Sequence, residues 1–104
     1  MIRILLVCAA GMSTSLLVQK MEKVAAARNL DVKIEAHPVS EFQDTYKDFD
    51  VILLGPQVRF RKAEWAPLAA ELGIPLDVIN PVDYGTVNAE KVLDTALKLA
   101  ATRK

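Results

Sequence analysis

The chain has 104 residues, 52% hydrophobic and 25% charged, and its 13 basic side chains balance 13 acidic ones. This length predicts one domain, 1–104, with enough apolar residues for a core. Zero net charge argues against non-specific nucleic-acid binding, which requires a basic surface. No apolar run approaches the roughly 20 residues that cross a bilayer, and an apolar strand begins at once, leaving no room for a signal peptide. We therefore expect a cytoplasmic protein.

The first predicted elements are a strand and a helix. Residues 2–7 are apolar apart from one arginine, which is typical of a strand buried on both faces of a parallel sheet. Ser13 or Thr14 is predicted to cap a helix that ends near Arg28. Asn29 follows it, and asparagine tolerates the left-handed backbone conformation that often ends a helix.

The middle of the chain predicts two more strands around a short helix. Residues 32–36 alternate apolar and charged side chains, which indicates a strand near the sheet edge. Residues 40–48 are polar with Phe42 and Tyr46 four apart, and they suggest one short helix. Residues 51–54 are wholly apolar and predict a third buried strand.

The last third continues the alternation. Residues 58–72 have a helical pattern, and Pro67 predicts either a kink or a helix that begins near it. Residues 75–79 predict the fourth strand, and Asn88 is placed to cap a final helix. Four strands alternating with helices indicate an α/β fold: an open four-stranded parallel sheet with helices on both faces. Ligands bind such sheets outside the carboxyl ends of the strands, where loops 8–15, 55–59 and 80–85 should meet.

Cys8, the single cysteine, stands between the first strand and the first helix. The small residues after it, with Gly11, allow backbone N–H groups to surround an anion, and the helix directs its positive end to the same point. The hydroxyls of Ser13, Thr14 and Ser15 add donors. These groups would stabilise a thiolate and a phosphoryl group on the sulfur, so we interpret Cys8 as a nucleophile that alkylates rapidly. The alternative is a small core residue without chemistry.

The run Cys8-Ala-Ala-Gly-Met-Ser-Thr-Ser15 resembles the active-site signature of a known family. It is the enzyme IIB component of the lactose/cellobiose/chitobiose class of the bacterial phosphoenolpyruvate-dependent sugar phosphotransferase system. Val51-Ile-Leu-Leu-Gly-Pro-Gln57 and Val82-Asp-Tyr84-Gly85 resemble later segments of the same family, so the similarity spans essentially the whole chain. It implies a four-stranded parallel sheet with helices on both faces, a topology shared with low-molecular-weight tyrosine phosphatases.

The resemblance also implies roles for residues and partners. Cys8 would accept a phosphoryl group from a phosphohistidine of the IIA protein and pass it to a sugar held by the membrane-embedded IIC protein. A cellobiose, chitobiose or other β-glucoside sugar is expected, and a monomer suits such a shuttle. The phosphate-binding loop would be formed by Ala9, Ala10, Gly11, Met12, Ser13, Thr14 and Ser15. The expected lining of the site is Gly55, Pro56, Gln57 and Tyr84. Because backbone donors would supply the electrostatics, we expect no metal and no cofactor.

A low-molecular-weight phosphatase-like hydrolase that uses Cys8 is the alternative. Those enzymes have an arginine six residues after the cysteine, where this chain has Thr14, and an aspartate before a proline, where it has Asn80. An amide cannot act as a general acid, although Asp83 lies close enough in sequence to keep this alternative open. Without the arginine a major electrostatic contribution to hydrolysis is lost, which favours transfer.

Two other residues stand out. His37 is the only histidine and ends the second predicted strand, and we assign it no direct catalytic role. Trp65 is interpreted as packing on the core or as an exposed anchor at an interface.

Overall fold

A computed structural model of the chain describes residues 1–9 and 12–103, and at Met12 and Ser13 it describes the backbone alone. Four parallel strands form a sheet in the order β2-β1-β3-β4. The strands are β1 (Ile2–Cys8), β2 (Val32–Pro38), β3 (Val51–Leu54) and β4 (Leu76–Val78). The predicted parallel α/β sheet is confirmed, as is the edge position of the second strand.

Five helices connect and cover the strands in the part of the chain that the structure describes. They are α1 (Met12–Ala27), α2 (Phe42–Thr45), α3 (Lys62–Glu71), α4 (Pro81–Gly85) and α5 (Ala89–Ala100). Short 3-10 segments flank α2 and precede α3, at Val39–Glu41, Tyr46–Asp48 and Pro56–Arg61. None of the helices described is both long and apolar enough to cross a membrane.

The sheet has two faces with different packing. α1 and α5 cover one face, here called the aliphatic face, whose buried residues are Ile4, Leu6, Leu17, Met21, Ala25, Ile34, Val51, Leu53, Ile79, Ala89, Val92, Leu93 and Ala96. α2 and α3 cover the other, the aromatic face, whose buried residues are Leu5, Val7, Phe42, Tyr46, Phe49, Ile52, Leu54, Val58, Trp65, Ala69 and Ile74. Successive side chains of β1 point to opposite faces, as strand geometry requires.

Several predicted boundaries are confirmed and others are wrong. Asn29 and Gly73 have positive φ angles, 56° and 72°, and follow α1 and α3 as predicted. α1 already includes Met12, so Ser13 and Thr14 lie in its first turn and do not cap it.

The predicted helix 58–72 begins later than expected. Val58 is buried with non-helical angles (φ −117°, ψ 20°), so the chain runs as a 3-10 segment until α3 begins at Lys62. Pro67 lies inside α3, not at its start. Its missing N–H removes one helical hydrogen bond, to the carbonyl of Ala63, while burial of Trp65 on the aromatic face holds the helix against the sheet.

Two short segments also differ from prediction. Residues 40–48 form α2 with 3-10 turns on either side, not one helix, although Phe42 and Tyr46 stack together as their spacing suggested (ring centroids 4.8 Å apart). The predicted loop 80–85 contains α4. Asn80 caps it, because its side-chain oxygen accepts hydrogen bonds from the N–H groups of Val82 and Asp83.

Candidate active site

Cys8 is the last residue of β1, at the carboxyl end of an inner strand of the sheet. Its side chain is buried, with 1% of the residue exposed. The thiol donates to the backbone carbonyl of His37, 3.8 Å away on the neighbouring strand, and the sulfur accepts a hydrogen bond from Thr14 Oγ1 at 3.2 Å. This burial counts against the rapid alkylation predicted from the sequence.

Thr14 reaches the sulfur because of where α1 lies. Cys8 follows the alternation of Ile4 and Leu6, which places it on the aliphatic face that α1 covers. Thr14, in the first turn of α1, is 0% exposed. Leaving Cys8 and the aromatic residues aside, it is the one polar or charged residue buried among those that the structure describes. A buried hydroxyl requires a hydrogen-bond partner, and here one partner is the sulfur.

The other predicted phosphate-loop residues divide into two groups. Ala9 and Ser15 are exposed, on either side of the loop. Ala10 and Gly11, together with the side chains of Met12 and Ser13, lie outside the described residues. The cradle of backbone N–H groups around Cys8 therefore stays a prediction.

The segment after β3 lies next to the end of β1. The Gly55 N–H donates to the Val7 carbonyl at 2.8 Å. A Cβ on Gly55 would lie 3.1 Å from Gln57 Oε1, 3.3 Å from the Val7 carbonyl oxygen and 3.8 Å from Tyr84 Cε1. Three of the predicted lining residues, Gly55, Gln57 and Tyr84, therefore lie together beside Val7, the residue before Cys8. Pro56 begins the 3-10 segment that leads away from this point.

His37 lies between two carboxylates, an arrangement that the sequence analysis missed. Its Nδ1 is 2.7 Å from Glu41 Oε1 and its Nε2 is 3.1 Å from Glu35 Oε1. Burial alone would lower the pKa of His37, but the hydrogen bonds to Glu41 and Glu35 outweigh it and raise the pKa above 6.5. The His37 hydrogen bond in turn lowers the pKa of Glu35. The spacing in the sequence could have indicated this cluster. Glu35 is two residues before His37 on the same face of the strand, and Glu41 is four residues after it, across a turn.

An open groove of about 380 Å³ runs beside this cluster, between α1 and the edge strand β2. Its polar lining comes from Ser15, Gln19, Glu22, Glu35 and His37. Cys8 is not part of its lining, so the groove lies next to the thiol and not over it. No group of three or more His, Cys, Asp or Glu side chains within residues 1–9 and 12–103 is arranged to hold a metal.

Comparison with known proteins identifies relatives along nearly the whole chain. The family model "PTS system, Lactose/Cellobiose specific IIB subunit" matches residues 3–95. The chain is 46% identical over 101 residues to the galactose-specific EIIB component of Lactococcus lactis subsp. cremoris, covering 92% of this chain and 94% of the relative. The cellobiose-specific EIIB component of Lactococcus lactis subsp. lactis matches with the same identity and coverage. The oligo-beta-mannoside-specific component of Bacillus subtilis is 36% identical over 97 residues, covering 93% and 94%.

Solved structures agree with these relatives. The cellobiose-specific phosphotransferase IIB component of Borrelia burgdorferi superposes with a TM-score of 0.82 at 45% identity, covering 99% of this chain and 94% of that one. The lactose-specific IIB domain of Streptococcus pneumoniae gives 0.85 at 23% identity, covering 94% and 96%, and shows the shared fold. The resemblance found in the cysteine loop is confirmed. The chain belongs to the lactose/cellobiose-specific IIB family of the phosphotransferase system, whose members act as phosphotransferases in sugar transport.

Proposed function

We propose that this IIB chain carries a phosphoryl group on Cys8, from a phosphohistidine of its IIA protein to a sugar bound by its membrane IIC protein. The observation that supports this role is the position of the sulfur. It lies at the carboxyl end of an inner strand, beside the first turn of α1, and accepts a hydrogen bond from Thr14. A helix N-terminus stabilises negative charge placed there, whether on sulfur or on phosphate.

The first transfer moves the phosphoryl group to sulfur. Cys8 Sγ attacks the phosphorus, so that an S–P bond forms and the N–P bond of the IIA phosphohistidine breaks. The leaving imidazole nitrogen takes up a proton, and the thiol gives one up. Because Cys8 is 1% exposed, a bound phosphoryl group must also rearrange the surroundings of the side chain.

The second transfer delivers the group to the sugar. A sugar hydroxyl oxygen attacks the phosphorus, an O–P bond forms, and the S–P electron pair returns to sulfur. The hydroxyl proton goes to a base that we assign to IIC. Both partners must reach the same sulfur in turn, so each encounter has to be transient.

The residues near Cys8 favour transfer to a partner over hydrolysis. The position where a phosphatase of similar topology would have arginine is Thr14, which is uncharged and buried against the sulfur. Asn80, in the place of the general acid, uses its oxygen to cap α4. A phosphocysteine in this setting lacks two groups that would speed attack by water.

The proposed sugar is a β-glucoside such as cellobiose or chitobiose. One relative with 46% identity is named cellobiose-specific, and the equally similar galactose-specific relative makes galactose the natural comparison sugar. Selectivity is assigned to IIC, because this chain handles only the phosphoryl group.

Labelled phosphoenolpyruvate, the upstream phosphotransferase proteins and a matching IIA protein provide the test. We expect one phosphoryl group on the peptide that contains Cys8. Mass spectrometry under conditions that preserve the S–P bond of phosphocysteine detects it. Cys8→Ser should abolish sugar phosphorylation in vesicles containing IIC, while His37→Gln should still be labelled. Label on His37, or sugar phosphorylation that survives Cys8→Ser, would refute the proposal. Rapid turnover of an aryl phosphate by the chain alone would favour the hydrolase alternative.

A further inference from the structure

The Cys8 sulfur lies between two hydrogen-bonding groups of opposite kind. The Thr14 hydroxyl donates to it at 3.2 Å, and the His37 carbonyl accepts from it at 3.8 Å. These contacts form a short chain of hydrogen bonds, from the hydroxyl through the thiol to the carbonyl. The oxygen–sulfur distance on the Thr14 side is the shorter of the two.

The two groups respond in opposite ways when the sulfur becomes charged. Loss of the thiol proton removes the bond to the His37 carbonyl and leaves an oxygen facing a negative sulfur. The bond from Thr14 becomes charge-assisted and therefore stronger. Burial reinforces this difference, because a hydrogen bond is electrostatically stronger in a low-dielectric environment.

We infer that Thr14 is a catalytic residue whose hydroxyl stabilises the negatively charged sulfur of Cys8, both as nucleophile in the first transfer and as leaving group in the second. The inference rests on the proposed function of Cys8, and it changes the role assigned to Thr14 from the sequence. The hydroxyl proton that would have served a phosphate cradle is directed at the sulfur instead.

This assignment explains how the site works with an uncharged residue where a phosphatase would have arginine. A guanidinium would stabilise charge on the phosphoryl group and so assist attack by water. A hydroxyl on the sulfur stabilises charge on the sulfur and does not polarise the phosphoryl group toward attack by water.

Thr14→Val and Thr14→Ser form a matched pair. Valine keeps the shape of threonine and removes the donor, whereas serine keeps the donor and removes a methyl group. In Thr14→Val we expect the thiolate fraction of Cys8 at a given pH, read from ultraviolet absorbance, to fall about tenfold or more. Phosphoryl transfer from IIA should slow by about tenfold to a hundredfold. Thr14→Ser should stay within about threefold of the wild type in both.

A role in packing alone makes the opposite prediction. It would leave the isosteric valine variant active and make the serine variant the weaker one, through loss of a buried methyl group. Equal impairment of both variants, or a wild-type thiolate fraction in folded Thr14→Val, would overturn the inference. Thr14→Ala serves as a second donor-free variant if valine prevents folding, and melting curves confirm the fold of each. The thiolate titration needs no partner protein, so it remains decisive even if Cys8 is not phosphorylated and the proposed function fails.

Discussion

The two faces of the sheet differ in what their side chains do. On the aromatic face, Phe42 stacks on Trp65 with ring centroids 3.9 Å apart and planes within 8°, and on Tyr46 at 4.8 Å. The buried residues described on the aliphatic face have no rings, and the carboxyl end of that face holds Cys8 and Thr14. Stacked rings therefore fix the helices on one side, while aliphatic side chains pack on the other, at whose edge the hydroxyl meets the thiol.

In the described part of the chain, the aromatic face buries one polar atom of Trp65 without a hydrogen bond. Within the residues that the structure describes, Trp65 Nε1 is buried without a hydrogen-bond partner, and the Arg61 guanidinium lies 5.4 Å from the centre of the indole ring. The sequence left open whether Trp65 is a core residue or an exposed anchor, and its 2% exposure shows that it is core. An unpaired indole N–H is tolerated here because the ring buries a large apolar area.

The largest effect that we expect is from removing the centre of the aromatic stack. Phe42→Ala should lower the free energy of unfolding by about 3–5 kcal/mol, because Phe42 is fully buried between Tyr46 and Trp65. Urea denaturation measures the loss. Phosphorylation of the molecules that remain folded should be unchanged, since the stack lies on the face opposite Cys8. A folded Phe42→Ala variant that cannot be phosphorylated would show that the two faces are not independent.

Gly55→Ala should lower the free energy of unfolding less than Phe42→Ala does, but it should affect the phosphorylation of Cys8 more. The added Cβ would lie 3.3 Å from the Val7 carbonyl oxygen and 3.1 Å from Gln57 Oε1. The glutamine side chain can move, but the Val7 carbonyl belongs to β1 immediately before Cys8. We expect a loss of about 1–3 kcal/mol in unfolding free energy, and slower phosphorylation of Cys8.

Gly85→Ala is the matched control for that substitution. A Cβ on Gly85 meets nothing within 4 Å, so this variant should keep both its stability and its phosphorylation rate. Equal effects of the two alanines would show that crowding against β1 is not the cause.

Sequence patterns predicted the sheet because a wholly buried strand has a simple signature. The apolar runs of β1 and β3 and the stops at Asn29 and Gly73 needed no tertiary information. The course of the chain around Pro67 could not be predicted, because packing of α3 on the aromatic face outweighs one missing hydrogen bond.

The place of Cys8 at the end of the first strand was predicted from the sequence, but the contacts of its side chain were not. The position of Cys8 follows from the end of β1. The pairing of Thr14 with the sulfur depends on the rotation of α1 over the sheet, which apolar spacing fixes only coarsely. The carboxylates around His37 were not predicted because Glu35 and Glu41 belong to different elements. Glu35 lies on β2 and Glu41 in the 3-10 segment after it, and both reach the His37 ring.

The smallest effect concerns His37, which contacts both Phe49 and Cys8. Its ring lies near Phe49, a residue of the aromatic face, with centroids 6.3 Å apart, while its backbone carbonyl touches the Cys8 sulfur. The charged groups around the ring are Glu35 and Glu41, with Lys33 paired to Glu35 and Glu22 lining the same groove. Because folding raises the pKa of His37 above 6.5, protonated His37 stabilises the fold.

The sign of the pH dependence follows from that shift. The stabilisation is fully present below about pH 6.5 and is lost as the pH rises through the higher pKa of the folded state. His37→Gln should therefore be less stable than the wild type at low pH, and the difference should shrink as the pH rises. Urea denaturation of both proteins across this range measures it, and Glu41→Gln should show an intermediate dependence because one carboxylate remains. A constant difference at every pH would contradict the assignment.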